Sequence, residues 1–88
     1  MKYTDLISGK YYYTDWVDGE GYKYILQYTP NKSDNIDLTH NKFYKARGCF
    51  ERTDVVFRIA TPFEIQWLQM CQKENKYIEF KEPIYELY

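Results

Sequence analysis

Apolar and polar residues alternate at every second position through most of the first sixty residues, and the spacing turns helical only once. Residues 6–13 read as a first strand, with Ile7, Tyr11 and Tyr13 on one face and Lys10 and Tyr12 on the other. Gly9 falls on the first face and predicts a bend or bulge there. Asp18-Gly19-Glu20-Gly21 has two glycines able to take positive φ, so it predicts a hairpin connection. Residues 22–28 follow as a second strand, Tyr22, Tyr24, Leu26 and Tyr28 opposing Lys23, Ile25 and Gln27. Pro30 ends it, and residues 31–37 read as a polar loop.

The third strand spans 42–51, its Phe43, Lys45 and Arg47 opposing Tyr44, Ala46 and Gly48, with a kink expected at Gly48. Arg52-Thr53-Asp54 forms a short turn. Residues 55–60 make a fourth strand with Val55, Phe57 and Ile59 inward and Arg58 outward. The helix comes next. Thr61 supplies the N-cap, Pro62 the N1 position and Glu64 the N3 carboxylate of a capping box. At 100° per residue Ile65, Leu68 and Cys71 form one stripe, and Phe63, Trp67 and Met70 form a second. Gln66, Gln69 and Lys73 take the polar side. That apolar arc is wider than one sheet face needs. Either Trp67 sits at the rim of the core with Phe63 under the first turn, or Phe63, Trp67 and Met70 stay partly exposed as an interaction patch. Residues 76–81 read as a fifth strand in which Ile78 and Phe80 share a face, stopped by Pro83.

This order predicts a mostly β (α+β) fold in one domain spanning residues 1–88. The picture is a small bent antiparallel sheet or SH3-like, partly open barrel of about five strands, with one helix between the last two strands. A flatter sheet with the helix packed across it is the alternative. Composition supports a core at this size, since 18 of the 88 residues are aromatic and eleven of those are tyrosine. Tyrosine buries its ring while keeping its hydroxyl wet, which suits a thin sheet and also a binding surface. The two cysteines, Cys49 and Cys71, fit no disulfide framework and read as buried thiols. No apolar run approaches the roughly 20 residues of a membrane span, and no leader-like segment follows Met1, so a cytoplasmic protein is expected.

Catalytic chemistry finds little support. His40, the only histidine, lies in a polar segment with nothing linking it to either cysteine. His40, Cys49 and Cys71 lack the paired spacing of a zinc site, and Asp15, Asp18 and Glu20 match a calcium loop poorly. Gly19 and Gly21 precede a strand rather than a helix, so they make no phosphate loop. A non-enzymatic protein without metal or cofactor is therefore expected. The net charge of −1 argues against a general cationic field. Locally, however, Lys45, Arg47 and Arg58 interleave with Tyr44 and Phe57, the physics of single-strand nucleic-acid binding on small barrels. An ordinary antiparallel strand with one wet face produces the same pattern.

The segment from Arg58 to Leu68, followed by Cys71 and Asn75-Lys76-Tyr77-Ile78, resembles the C-terminal part of small uncharacterised proteins of bacteriophages and mobile elements. There an A-T-P-x-E-x-x-W-L helix leads into a short strand. The likeness covers about a third of the chain and brings no catalytic residues with it. It implies a protein that binds a host protein in the bacterial cytoplasm, for instance a defence enzyme or regulator. The expected binding surface combines Phe63, Trp67 and Met70 with exposed tyrosines such as Tyr12 and Tyr85. The alternatives are a small nucleic-acid-binding barrel using Lys45, Arg47, Arg58, Tyr44 and Phe57, and a homo-oligomeric virion component.

Overall fold

Five strands and one capped helix form in a computed structural model that describes residues 1–16, 22–30, 32–46 and 55–79. Strands β1 (Tyr11–Trp16), β2 (Tyr22–Gln27), β3 (Ser33–Asp37), β4 (Lys42–Ala46) and β5 (Phe57–Ile59) precede helix α1 (Pro62–Glu74). The sheet order is β4-β3-β2-β1-β5 and every pairing is antiparallel. Four strands thus form a meander, and β5 returns to the far side of β1. The sheet is open, and α1 lies across one face of β2 and β3. The fold is a small, mostly β α+β arrangement.

Three sequence expectations change. The first strand begins at Tyr11 rather than Leu6, because Gly9 takes φ +87° and turns the chain. The turn is closed by Lys10 N–H donating to the Ile7 carbonyl, and Gly9 N–H donates to Tyr28 at 2.8 Å. Second, the expected polar loop at 31–37 contains β3, an inner strand of the sheet. Third, all five strands precede the helix. Residues 76–79 are not in a strand, and the rest of the expected last strand lies outside the described residues.

β3 escapes the hydrophobic pattern because polar side chains occupy its buried face. Ser33, Asn35 and Asp37 are all buried, and the hydrogen bonds that permit this are local. Asn35 donates to the carbonyls of Ser33 at 2.7 Å and Tyr44 at 3.5 Å. The Asp37 carboxylate accepts from Thr39 N–H and His40 N–H, and pairs with His40 Nδ1 at 2.8 Å. The side-chain oxygen of Asn35 has no partner, which costs about 1–3 kcal/mol when buried. Only Ile36 gives β3 an apolar contact with the helix side.

Both faces of the sheet are covered at its centre. On the helix side Ile25 and Ile36 meet Leu68 and Cys71, fringed by Tyr11, Tyr13, Phe43 and Trp67. On the other side Tyr12, Tyr24, Leu26, Val55 and Phe57 pack together, with Tyr3, Leu6 and Tyr28 against them. Two thin cores therefore share one sheet, which accounts for the high aromatic content. A polar network fixes the helix angle: Gln72 Nε2 donates to Gln27 at 2.6 Å and to Asp34 at 2.9 Å. Asn75, in the left-handed region at φ 55°, ends the helix, and its N–H and that of Lys76 both reach the Cys71 carbonyl.

Candidate functional site

The capping box forms as the sequence implies. Thr61 Oγ1 accepts from Glu64 N–H at 3.2 Å, and Glu64 Oε1 accepts from Thr61 N–H at 2.8 Å. The same carboxylate also takes two hydrogen bonds from Arg58, at 2.9 and 2.8 Å. Burial alone would raise the Glu64 carboxyl, but the hydrogen bonds from Arg58 and Thr61 outweigh it and hold the group below its ordinary value. The Arg58 guanidinium lies 4.1 Å over the Tyr13 ring, a cation–π contact. Arg58 thus ties β5 to β1 and to the start of α1.

That arrangement disperses the residues expected to bind nucleic acid. Arg58 on β5 and Lys45 on β4 occupy opposite margins of the sheet, four strand spacings or roughly 19 Å apart. Phe57 is buried on the face away from the helix. Tyr44, half-buried, packs against that same cluster. Arg47 lies outside the described residues. Among the described residues, the cations and rings expected to bind nucleic acid do not share a track.

The second helix stripe is neither core nor free surface. Phe63, Trp67 and Met70 are all half-buried. The Phe63 and Trp67 rings stack at 6.0 Å, and Trp67 meets Tyr77 at 6.2 Å. The Trp67 indole N–H donates to the Ile78 carbonyl at 2.6 Å, so residues 77–78 clamp the indole in one orientation. Beyond this ladder, Met70, Lys73, Glu74, Lys76, Tyr77 and Ile78 line an open depression of about 570 Å³. Tyr12, expected among the exposed tyrosines, is instead 3% exposed. Its ring joins the core and its hydroxyl accepts from Ile7 N–H at 2.9 Å. Tyr85 lies outside the described residues.

Sequence reasoning missed a second surface. Ile59, expected inward, is 67% exposed, and Ile7 (60%), Val56 (58%) and Met1 (42%) are the other exposed large apolar residues among those described. All four lie on or beside β5. Met1 exchanges two backbone hydrogen bonds with Phe57, at 2.7 and 2.8 Å. Ile59 and Ile7 share a groove of about 500 Å³ with Tyr12 and Ile65. The inward reading holds for Val55 and Phe57, both buried in one cluster, and fails at Ile59, the last residue of a three-residue strand at the sheet margin.

Cys71 is fully buried between helix and sheet, and desolvation pushes its thiol pKa up. That is the setting of a packing residue rather than a nucleophile. His40 pairs with Asp37 on the β3–β4 connection, and Cys49 lies outside the described residues. Among the described residues, no three His, Cys, Asp or Glu side chains gather to hold a metal, and no helix is long and apolar enough to cross a membrane. No protein-family model, curated protein or solved structure matches the chain.

Proposed function

We propose that this chain is a non-enzymatic protein-binding module of phage type that occludes a site on a host protein in the bacterial cytoplasm. The observation that carries the reading is the Phe63–Trp67–Tyr77 ladder, half-exposed and held rigid by the Trp67 to Ile78 hydrogen bond. Aromatic side chains fixed in one rotamer lose little entropy on docking, which is how interface anchors gain their energy. Met70 and Tyr77 offer apolar contact beside Lys73 and Lys76, so the chemistry favours an acidic segment carrying an apolar anchor. Glu74 at the same rim gives orientation through repulsion.

Capture from a bacterial lysate followed by mass spectrometry tests the proposal. The wild-type chain should retain a discrete host protein that a Met70→Asp variant loses and that a Lys73→Glu, Lys76→Glu variant binds more weakly and with less salt dependence. If no protein is retained specifically, or if the Met70 variant retains the same one equally well, the proposal fails.

A further inference from the structure

We infer that residues 80–88 of this chain, the segment that follows the described residues, fold back in cis into the depression beside Met70, so that the chain covers its own binding site until a partner displaces them. The inference rests on the host-binding reading for the purpose of the site, and on the chain itself for the occupant.

The lining of the depression selects the chemistry of what fills it. Met70, Tyr77 and Ile78 are apolar contacts, and Lys73 and Lys76 outnumber Glu74. A segment that combines apolar side chains with net negative charge is complementary to that mixture. Residues 80–88 read Phe-Lys-Glu-Pro-Ile-Tyr-Glu-Leu-Tyr, in which five of nine are aliphatic or aromatic and Glu82 and Glu86 outnumber Lys81. The other undescribed stretches lack one half of this or the other. Val17 is the sole large apolar residue of 17–21, and 47–54 balances Arg47 and Arg52 against Glu51 and Asp54. Ile84 and Leu87 are the aliphatic anchors, and the flexible thioether of Met70 adapts to either. Pro83 fixes its own φ and donates no N–H, so the segment gives up less freedom on docking and attaches through side chains rather than a continuous ladder.

Connectivity delivers the segment to the site. Tyr77 and Ile78 both line the depression, and the Trp67 indole holds the Ile78 carbonyl at 2.6 Å. Residue 80 therefore starts two positions beyond the lining. Nine residues reach at most about 30 Å, and a hollow of 570 Å³ is roughly 8 Å across, so every part of it lies within reach. A tether this short gives an effective concentration on the order of millimolar. A free acidic segment at lower concentration displaces it only with stronger anchors, and the apparent affinity of any partner falls in proportion to the uncovered fraction.

The probe is a capped peptide with the sequence of residues 80–88, titrated into the full chain by calorimetry, alongside nuclear Overhauser spectra of the chain alone. The unmodified chain should show contacts from the Met70 methyl to Ile84 or Leu87 at a solution mass of 10.8 kDa. Because its own segment competes, it should bind the peptide at least about fivefold more weakly than an Ile84→Asp, Leu87→Asp variant with the same circular-dichroism spectrum. Adding Met70→Asp to that variant should abolish the binding. Equal peptide binding by the unmodified chain and the variant, no binding by the variant, or no Met70 contact to residues 84–88 would overturn the inference. So would contacts that arise only between differently labelled copies, which would mean exchange in trans. If the variant loses its fold, the Met70 contacts of the unmodified chain decide alone. Failure here leaves capture of a host protein through Met70 standing, whereas a lysate from which nothing is retained leaves these contacts standing.

Discussion

Glu64 joins three elements through one carboxylate. It closes the cap, holds Arg58 through two short hydrogen bonds, and through Arg58 fixes the cation over Tyr13. Its carboxyl is lowered from an ordinary value of 4.5, so the native state binds the proton more weakly than the unfolded chain does. The contribution is therefore fully present above that ordinary value and fades as pH falls through the lower native one. Glu64→Gln keeps an acceptor for Thr61 N–H but removes the charge. Since Arg58 is about half exposed, solvent screens the pair and the loss at neutral pH should be about 1 kcal/mol or less. Urea unfolding of both proteins should show the gap narrowing as pH falls below that ordinary value and closed once the native carboxyl is protonated. A gap that stays constant from neutral pH down to that point would remove the electrostatic account. The cap half of this cluster was legible in Thr61-Pro62-Phe63-Glu64. Its Arg58 half was not, because an ion pair across six positions and two elements leaves no periodic mark.

Within α1 the two apolar stripes differ in what they touch, and their substitutions should differ in cost. Leu68 is fully buried against Ile25 and Ile36, so Leu68→Ala should cost about 2–5 kcal/mol in unfolding free energy. Phe63 and Met70 are half-buried, and each alanine variant should stay below about 2 kcal/mol, roughly the value of burying one full side chain. A larger loss at Met70 would make it core and take away the anchor on which the proposed partner binding depends. Strand β3 carries the opposite lesson. Its Ser33, Asn35 and Asp37 are as polar as any loop, and their burial depends on carbonyls and amides that no hydrophobic pattern reports. The helix could be read because its own residues specify it. β3 could not, because it is held by its neighbours on both sides.

At the scale of the molecule, the strand order decides where stability is concentrated. β2 and β3 are flanked by strands on both sides, and Leu26, Ile25 and Ile36 on them belong to the two clusters that sandwich the sheet. β5 is paired on one side by β1 and on the other only at Phe57, and it has three residues. Opening β5 exposes little beyond Phe57, whereas opening β2 dismantles both cores together. Native-state hydrogen exchange should therefore be graded: the amides of Ile25, Leu26 and Ile36 exchange last, at free energies near that of global unfolding. Those of β5 and of the last helical turn should exchange earlier, through local openings. Under increasing urea the late group should merge with the global transition, while the early group stays nearly independent of denaturant until then. Equal protection across β2 and β5 would mean that the two cores and the β5 margin open as one unit. The margin would then be as tightly held as the centre, and a stable sheet centre with a separately opening edge would no longer describe this fold.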